Sequence, residues 1–352
     1  MARPVIAGVG VALPPAASQE ELWREFFAER YAGATRILAE RIFANSGVRR
    51  RHAAVNPLRE DVAEWPTARR MARYLSEALP LGKDAVERAI AASGVTAAEI
   101  GLFAVCSCTG YVTPGLDILL ARDVGMRPET QRLFIGHMGC YAALPGVGVV
   151  SDFVVARGQP ALLLCVELTS LHVQPAEIGA DTEQIVAHAL FSDAAAAAVV
   201  VPGERPGYVV RELAAVTDGA TADHMTWEVT DLGFRMGLSP RVPQVLARHV
   251  RGLVEGLLSR HGLRVADVDG WAVHPGGPRI LAVVERELGL PEQALRTSRA
   301  ILADCGNCSS STVLLIMERL IRCESPPQWT VMLAFGPGLT LYAALLERRG
   351  PQ

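Results

Sequence analysis

The chain has 352 residues, a formal net charge of −3, and a composition that is 50% hydrophobic and only 20% charged. A near-neutral field gives no general attraction to nucleic acid or to anionic membranes, and no stretch supplies the ~20 continuous apolar residues of a membrane helix. Seven irregularly spaced cysteines point to reduced thiols in the cytoplasm and not to a disulfide framework.

Arg3 followed by Val5 to Leu13 imitates a signal peptide. Gly8 and Gly10 interrupt that run and Pro14-Pro15 ends it, which predicts a first strand and a turn. A helical region carrying Trp23, Phe26 and Phe27 comes next, then the basic run Arg49-Arg50-Arg51. A helix is predicted from about Asp84 to Ala92, with Gly94 as its C-cap.

From there the chain repeats itself. Leu102 to Cys106 is a short apolar strand running into a turn at Thr109-Gly110, and Gly139-Cys140 follows downstream. Trp271 to Val273 is another such strand, running into His274-Pro275-Gly276-Gly277, and Gly306-Asn307 follows at a similar spacing. In each half a small-residue turn opens a predicted helix, Tyr141 to Val150 and Ser309 to Leu320. Each half then ends on an apolar strand, Ala194 to Val201 and Leu339 to Leu346. Alternating strands and helices in two copies predict a layered α/β architecture.

Cys140 sits between Gly139 and a helical run, where free N–H groups and the positive end of the dipole favour a thiolate. His274 ends a strand, where α/β proteins place their sites. Asn307 precedes a serine-rich helix start. Each has a plainer reading taken alone: a buried cysteine, a bonded turn histidine, an N-cap asparagine. Their equivalent positions in the two halves favour a single site. A different class of chemistry is open to Cys305-Gly306-Asn307-Cys308, whose CxxC spacing, with Cys106 and Cys108 elsewhere, would suit zinc or a redox dithiol.

The segments GHMGCYAALPGV, ALFSDAAAAAVVV, WAVHPGGPRIL, CGNCSSSTVL and AFGPGLTLYAALLER resemble, in order and spacing, the chalcone synthase-like, type III polyketide synthases. The resemblance implies a thiolase fold, a duplicated five-layered αβαβα arrangement that is usually a homodimer. Residues 1–205 would form the half carrying the nucleophile, and 206–352 the half carrying the catalytic His and Asn.

It further implies that Cys140 carries the acyl chain as a thiolate paired with His274. His274 and Asn307 would hold the thioester carbonyl of a malonyl-type extender during decarboxylative Claisen condensation, with cyclisation to a pyrone or resorcinol as an optional later step. Neither metal nor redox cofactor is implied, only CoA or acyl-carrier-protein thioesters. A ketosynthase of the same fold that performs one condensation, or forms a pyrone from carrier-bound chains, is the alternative.

By the same resemblance Phe191 is a gatekeeper, Met236 falls near a second one, and His172 lines the cavity. Gly276, Ser309 and the loop Phe335, Gly336, Pro337, Gly338 border the substrate, with Ala334 where the family has a further glycine. Arg41, Arg49 and Arg279 would bind CoA or carrier phosphate, while Leu38 and Asn45 stand where the family carries basic residues.

Overall fold

The computed structural model describes residues 3–174 and 182–350. Nine strands form its main sheet: β1 (Pro4–Ala12), β2 (Leu102–Cys106), β3 (Gln131–Ile135), β4 (Ala161–Glu167), β5 (Ala194–Pro202), β6 (Gly207–Thr217), β7 (Gly270–Val273), β8 (Trp329–Gly336) and β9 (Thr340–Arg349). Their spatial order is β7-β8-β9-β6-β1-β5-β4-β2-β3. The repeat read from sequence is explicit here. β1, β5, β4 and β2 stand side by side in the first half, and β6, β9, β8 and β7 in the second. Both sets pair antiparallel, antiparallel, then parallel. The halves join where β1 meets β6 through Val5–Val209 and Ile6–Tyr208. β3 extends the first half alone, parallel to β2.

Three separate cores show the layering. Helix α1 (Thr67–Ser93) covers the outer face of the first half. Helices α2 (Ala143–Arg157) and α5 (Thr312–Ile321) fill the space between the two half-sheets. Helices α3 (Val242–Ser259) and α4 (Pro278–Leu288) cover the outer face of the second half. The arrangement is α-β-α-β-α, the five-layered thiolase fold. β4 is buried on both faces, Leu162, Leu164 and Val166 toward α1 and Leu163 and Cys165 toward α2, so its sequence is apolar without alternation. Among the described residues one helical segment, 139–157, is long and apolar enough to cross a membrane. It contributes to the central layer, and the same composition is what burial between two sheets requires.

Two local expectations are extended or re-explained. The helix expected from Asp84 begins at Thr67, because Pro80 is accommodated inside it. Its buried face runs through Arg70, Tyr74, Ala78, Gly82, Ala85, Ala89 and Ser93, a spacing of about one turn. Gly94 closes it at φ 69°, as expected. Gly8 and Gly10 lie inside β1 because α1 crosses there at close range. A Cβ on Gly10 would sit 2.3 Å from the Ala85 carbonyl oxygen, and one on Gly8 2.4 Å from that of Ala89. Gly10→Val therefore forces β1 and α1 apart. It should destabilise the protein by about 1–3 kcal/mol or more, read as a lowered urea midpoint with an unchanged m-value.

Candidate active site

Cys140, His274 and Asn307 come from three elements and are all buried, at 6%, 0% and 3% exposure. Cys140 lies in the 3-10 turn Gly139–Tyr141 that leads into α2. His274 follows β7, and its backbone N–H is tied to the Leu333 carbonyl of β8 at 2.8 Å. Asn307 precedes the turn into α5, and its backbone is stitched to Leu190 and Ser192 at 2.8 and 2.9 Å. Ser309, at φ +50°, turns the chain so that its N–H donates to Asn307 Oδ1 at 2.9 Å. That bond occupies the amide oxygen and leaves Asn307 Nδ2 as a donor for something else.

Two bridges connect the three residues. Ser309 reaches the Cys140 thiol on one side and bonds Asn307 on the other. The turn at the end of β8 forms the second bridge. Phe335 packs edge-on to His274, ring centres 5.6 Å apart. A Cβ on the neighbouring Gly336 would lie 3.4 Å from the Cys140 nitrogen and 2.8 Å from the Tyr141 ring. Pro337 abuts Gly139. Gly336 and Pro337 thus support the Cys140 turn, Gly338 sits at φ 129° beside Thr340, and Phe335 is the residue of this loop on the wall of the larger cleft described below.

The electrostatics are set by burial. Desolvation pushes the Cys140 thiol up to about 12, with the Ser309 hydroxyl pulling the other way. The helix start favours a thiolate, but removal from water is the stronger effect. Desolvation likewise pushes His274 down to about 3, and neither of its ring nitrogens has a hydrogen-bond partner among the described residues. A fully buried imidazole with both nitrogens unsatisfied is costly in a resting protein and marks a place where an outside group bonds.

Glu167, unremarked as a functional residue in the sequence, is buried beneath the site at the end of β4. It accepts from Cys108 N–H, Thr109 Oγ1 and Ser310 Oγ at 3.0, 2.9 and 2.6 Å, and burial raises its pKa. The signal available was a lone carboxylate closing the apolar run ALLLCVE. The CxxC reading finds no support in the thiols: burial pushes Cys305 up to about 11 and Cys308 well above its ordinary value. Among the described residues no group of three or more His, Cys, Asp and Glu is arranged to hold a metal.

Two openings adjoin the site. A cleft of about 950 Å³ is lined by Gly276, Phe335, Leu190, Leu38, Asn45, Arg41 and Arg279. Arg49 is not on it; this arginine pairs with Asp304 on the surface at 2.6 Å. A smaller cavity of about 50 Å³ is lined by Phe191, His172, Met236, Trp227, Phe234 and Arg51. Phe191 forms an isolated bridge with Asn307, which places it between site and cavity.

His172 is there, as expected, but both ring nitrogens are taken. Nε2 donates to Thr109 O at 2.7 Å and Nδ1 accepts from Phe234 N–H at 3.0 Å, so polarising a substrate carbonyl would break a structural bond. Its ring stacks on Phe234 at 4.5 Å, and desolvation lowers its pKa to about 4. Since the unfolded value is near 6.5, the unfolded chain binds the extra proton between pH 6.5 and 4. Stability from His172 is therefore complete above 6.5 and is lost as pH falls, by about 3 kcal/mol across the window. His172→Gln should be less stable at pH 7 but lose less on acidification, measured as urea midpoints from pH 7 to 4. Glu167 and Asp193, both raised by burial, titrate alike in the two chains and cancel from the comparison.

A duplicated five-layer fold, with Cys140 and Asn307 ahead of its central helices and His274 at the end of β7, is the architecture of the thiolase-fold condensing enzymes. The family models describing the N-terminal and C-terminal domains of chalcone and stilbene synthases match residues 3–205 and 213–349. The chain belongs to that family and is a type III polyketide synthase, an acyltransferase that condenses thioesters. It is 36% identical to a 1,3,6,8-tetrahydroxynaphthalene synthase of Streptomyces peucetius, over 97% of this chain and 92% of that one. It is 33% identical to an alpha-pyrone synthesis polyketide synthase-like protein of Mycobacterium tuberculosis, over 87% and 81%. The solved structure of PKS-I from the brown alga Ectocarpus siliculosus superposes with a TM-score of 0.91 at 30% identity, covering 99% of both chains.

Proposed function

We propose that Cys140 carries the growing acyl chain, with His274 as its proton partner and His274 and Asn307 as the donors that stabilise the enolate. The observation supporting this most strongly is the buried His274, whose two nitrogens have no partner among the described residues, together with an asparagine whose amide oxygen is already bound.

Burial disfavours thiolate and imidazolium taken singly. Proton transfer from Cys140 to His274 creates both charges together, and each offsets the other's desolvation. The Cys140 thiolate attacks the carbonyl of an acyl-CoA, and the departing CoA sulfur takes the proton back from His274. A malonyl thioester then places its carbonyl oxygen against the His274 ring and Asn307 Nδ2. As CO2 leaves, charge grows on that oxygen, where fixed donors in a water-poor site favour the enolate over the ground state. The enolate carbon attacks the Cys140 thioester, Cys140 leaves as thiolate, and the chain is two carbons longer on the extender's thiol. No step requires a metal or redox cofactor.

CoA thioesters are assigned to the 950 Å³ cleft, with Arg41 and Arg279 on its wall for phosphate. A carrier-protein thioester is a second reading for at least one substrate. Leu38 and Asn45 add no positive charge to that wall, and Arg49 is committed to Asp304. The partner for assembly is a second copy of the chain. β3 is an edge strand, paired only to β2, with Leu133 and Phe134 exposed, and Val149 and Val155 are exposed on α2; apolar side chains of this kind are what a homodimer would cover. Division at residues 205 and 206 into a Cys half and a His/Asn half follows the strand repeat. Seven free cysteines suit the reducing cytoplasm.

Cys140→Ala should fold but carry no acyl adduct, whereas intact-mass analysis of the wild type after acyl-CoA treatment places the adduct on the Cys140 peptide. Asn307→Ala should still load, yet release CO2 from malonyl-CoA ~10²–10³-fold more slowly. Labelling of Cys305 or Cys308 instead, or undiminished CO2 release, would overturn these roles. Products formed from malonyl-CoA with a panel of acyl starters, read by mass spectrometry, decide chain length and cyclisation. The carrier reading expects a higher kcat/KM for at least one acyl group on a carrier protein than on CoA; equal or better use of every CoA ester defeats it.

A further inference from the structure

Arg51 stands last in the basic run read from sequence, but it is no surface charge. It is 7% exposed, with its guanidinium over the rings of Phe27 and Phe43, 5.3 and 5.8 Å from their centres. Burial lowers its pKa to about 10, so the group remains charged near neutrality. Nη1 donates to the carbonyls of His188 and Phe191, the latter at 3.3 Å. Nε and Nη2 are buried without a hydrogen-bond partner among the described residues. A buried cation so incompletely bonded is a weak source of stability, which directs attention to what its two bonds hold in place.

They hold the segment to which Asn307 is bound. Leu190 lies between the two carbonyls that Arg51 grips, and its own carbonyl accepts the Asn307 N–H at 2.8 Å. On the other side of Phe191, the Ser192 N–H donates to the Asn307 carbonyl at 2.9 Å, and Phe191 itself bridges to Asn307. Both backbone groups of Asn307 are thus tied to the stretch that Arg51 clamps. The two sides also touch, for a Cβ on Gly306 would lie 3.4 Å from Arg51 Cγ and 2.9 Å from Ser192 Cβ. Arg51 is anchored in its turn. Its strand, Arg50–His52, pairs with Ala16–Ser18, and the His52 N–H donates to Ser192 Oγ at 2.7 Å. With Asn307 Oδ1 held by the Ser309 N–H of the same loop, the amide moves with that backbone, and Nδ2 with it.

We propose that Arg51 is a positioning residue for Asn307: by holding the segment from His188 to Ser192, it aims Nδ2 at the thioester carbonyl that becomes the enolate oxygen. Arg51 touches no substrate in this role. The proposal rests on the assignment of Asn307 as an enolate donor. A displaced donor still permits loading, because that exchange takes place at Cys140 and His274. It weakens the bond to the charge that develops as CO2 leaves, since such stabilisation depends on fixed geometry.

The test follows two steps on the full chain. Acyl-CoA loading of Cys140 is read by intact-mass time courses. CO2 release is read from malonyl-CoA, which leaves acetyl-CoA once the enolate takes a proton from water. Arg51→Met removes both bonds, and should load within about threefold of wild type yet release CO2 about tenfold or more slowly. In an Asn307→Ala background the donor is already gone. There Arg51→Met should slow CO2 release by less than about threefold further, because residues that act as one unit are not additive. If Arg51→Met does not fold, Arg51→Lys takes its place; its ammonium ends a bond short of the two carbonyls, and the same split is expected. Equal losses in loading and CO2 release overturn the proposal, as does a fully additive loss in the double variant. If Asn307→Ala alone releases CO2 at the wild-type rate, the donor assignment fails and takes this proposal with it. A slow Asn307→Ala beside an unimpaired Arg51 variant defeats only the positioning role.

Discussion

Two helices, α2 and α5, are buried between two half-sheets, and every other feature of the site depends on that central layer. Ala143, Leu144, Val147 and Val150 of α2 share one core with Val313, Leu314 and Met317 of α5. Helices enclosed by sheets must start and end at the layer's rim, where their leading turns meet. Cys140 and Asn307 lie in those leading turns, and equivalent strand orders bring them to equivalent places. The duplication thus turns two unremarkable helix starts into one site.

The same enclosure sets the chemistry. Removal from water outweighs the helix-start effect at Cys140 and leaves His274 neutral. Under the proposed mechanism, neutral partners in a dry site would keep the thiol quiet until a substrate arrives, and donors fixed by packing would need no rearrangement as charge develops. Other buried polar side chains are taken up in holding the fold. Arg70, fully buried, spends its guanidinium on the carbonyls of Trp65, Ala63, Leu171 and Val173, which ties down the loop carrying His172. His172 in turn holds Thr109 and Phe234. His274, by contrast, is a buried ring with neither nitrogen bonded among the described residues, beside Phe335 on the cleft wall.

The sequence by itself determined the elements whose signal is local. The strands at Leu102 to Cys106 and Ala194, the turn at His274 and the helix start at Ser309 could be read because apolar runs end abruptly on glycine, proline or small polar residues. The two-copy order and the motifs around Cys140, His274 and Asn307 were legible for the same reason. The tertiary structure decided what depends on neighbours distant in the chain. Pro80 reads as a helix breaker, yet packing against β1 carries α1 through it. Gly10 reads as an interruption, yet it is where α1 touches β1. Within Arg49-Arg50-Arg51, identical side chains diverge: Arg49 pairs with Asp304 at the surface, while Arg51 is buried beside Phe191. His172 belongs to the cavity wall, but two backbone groups from Thr109 and Phe234 consume its nitrogens. A residue's type sets which bonds it can make, and only the fold sets which of them remain free.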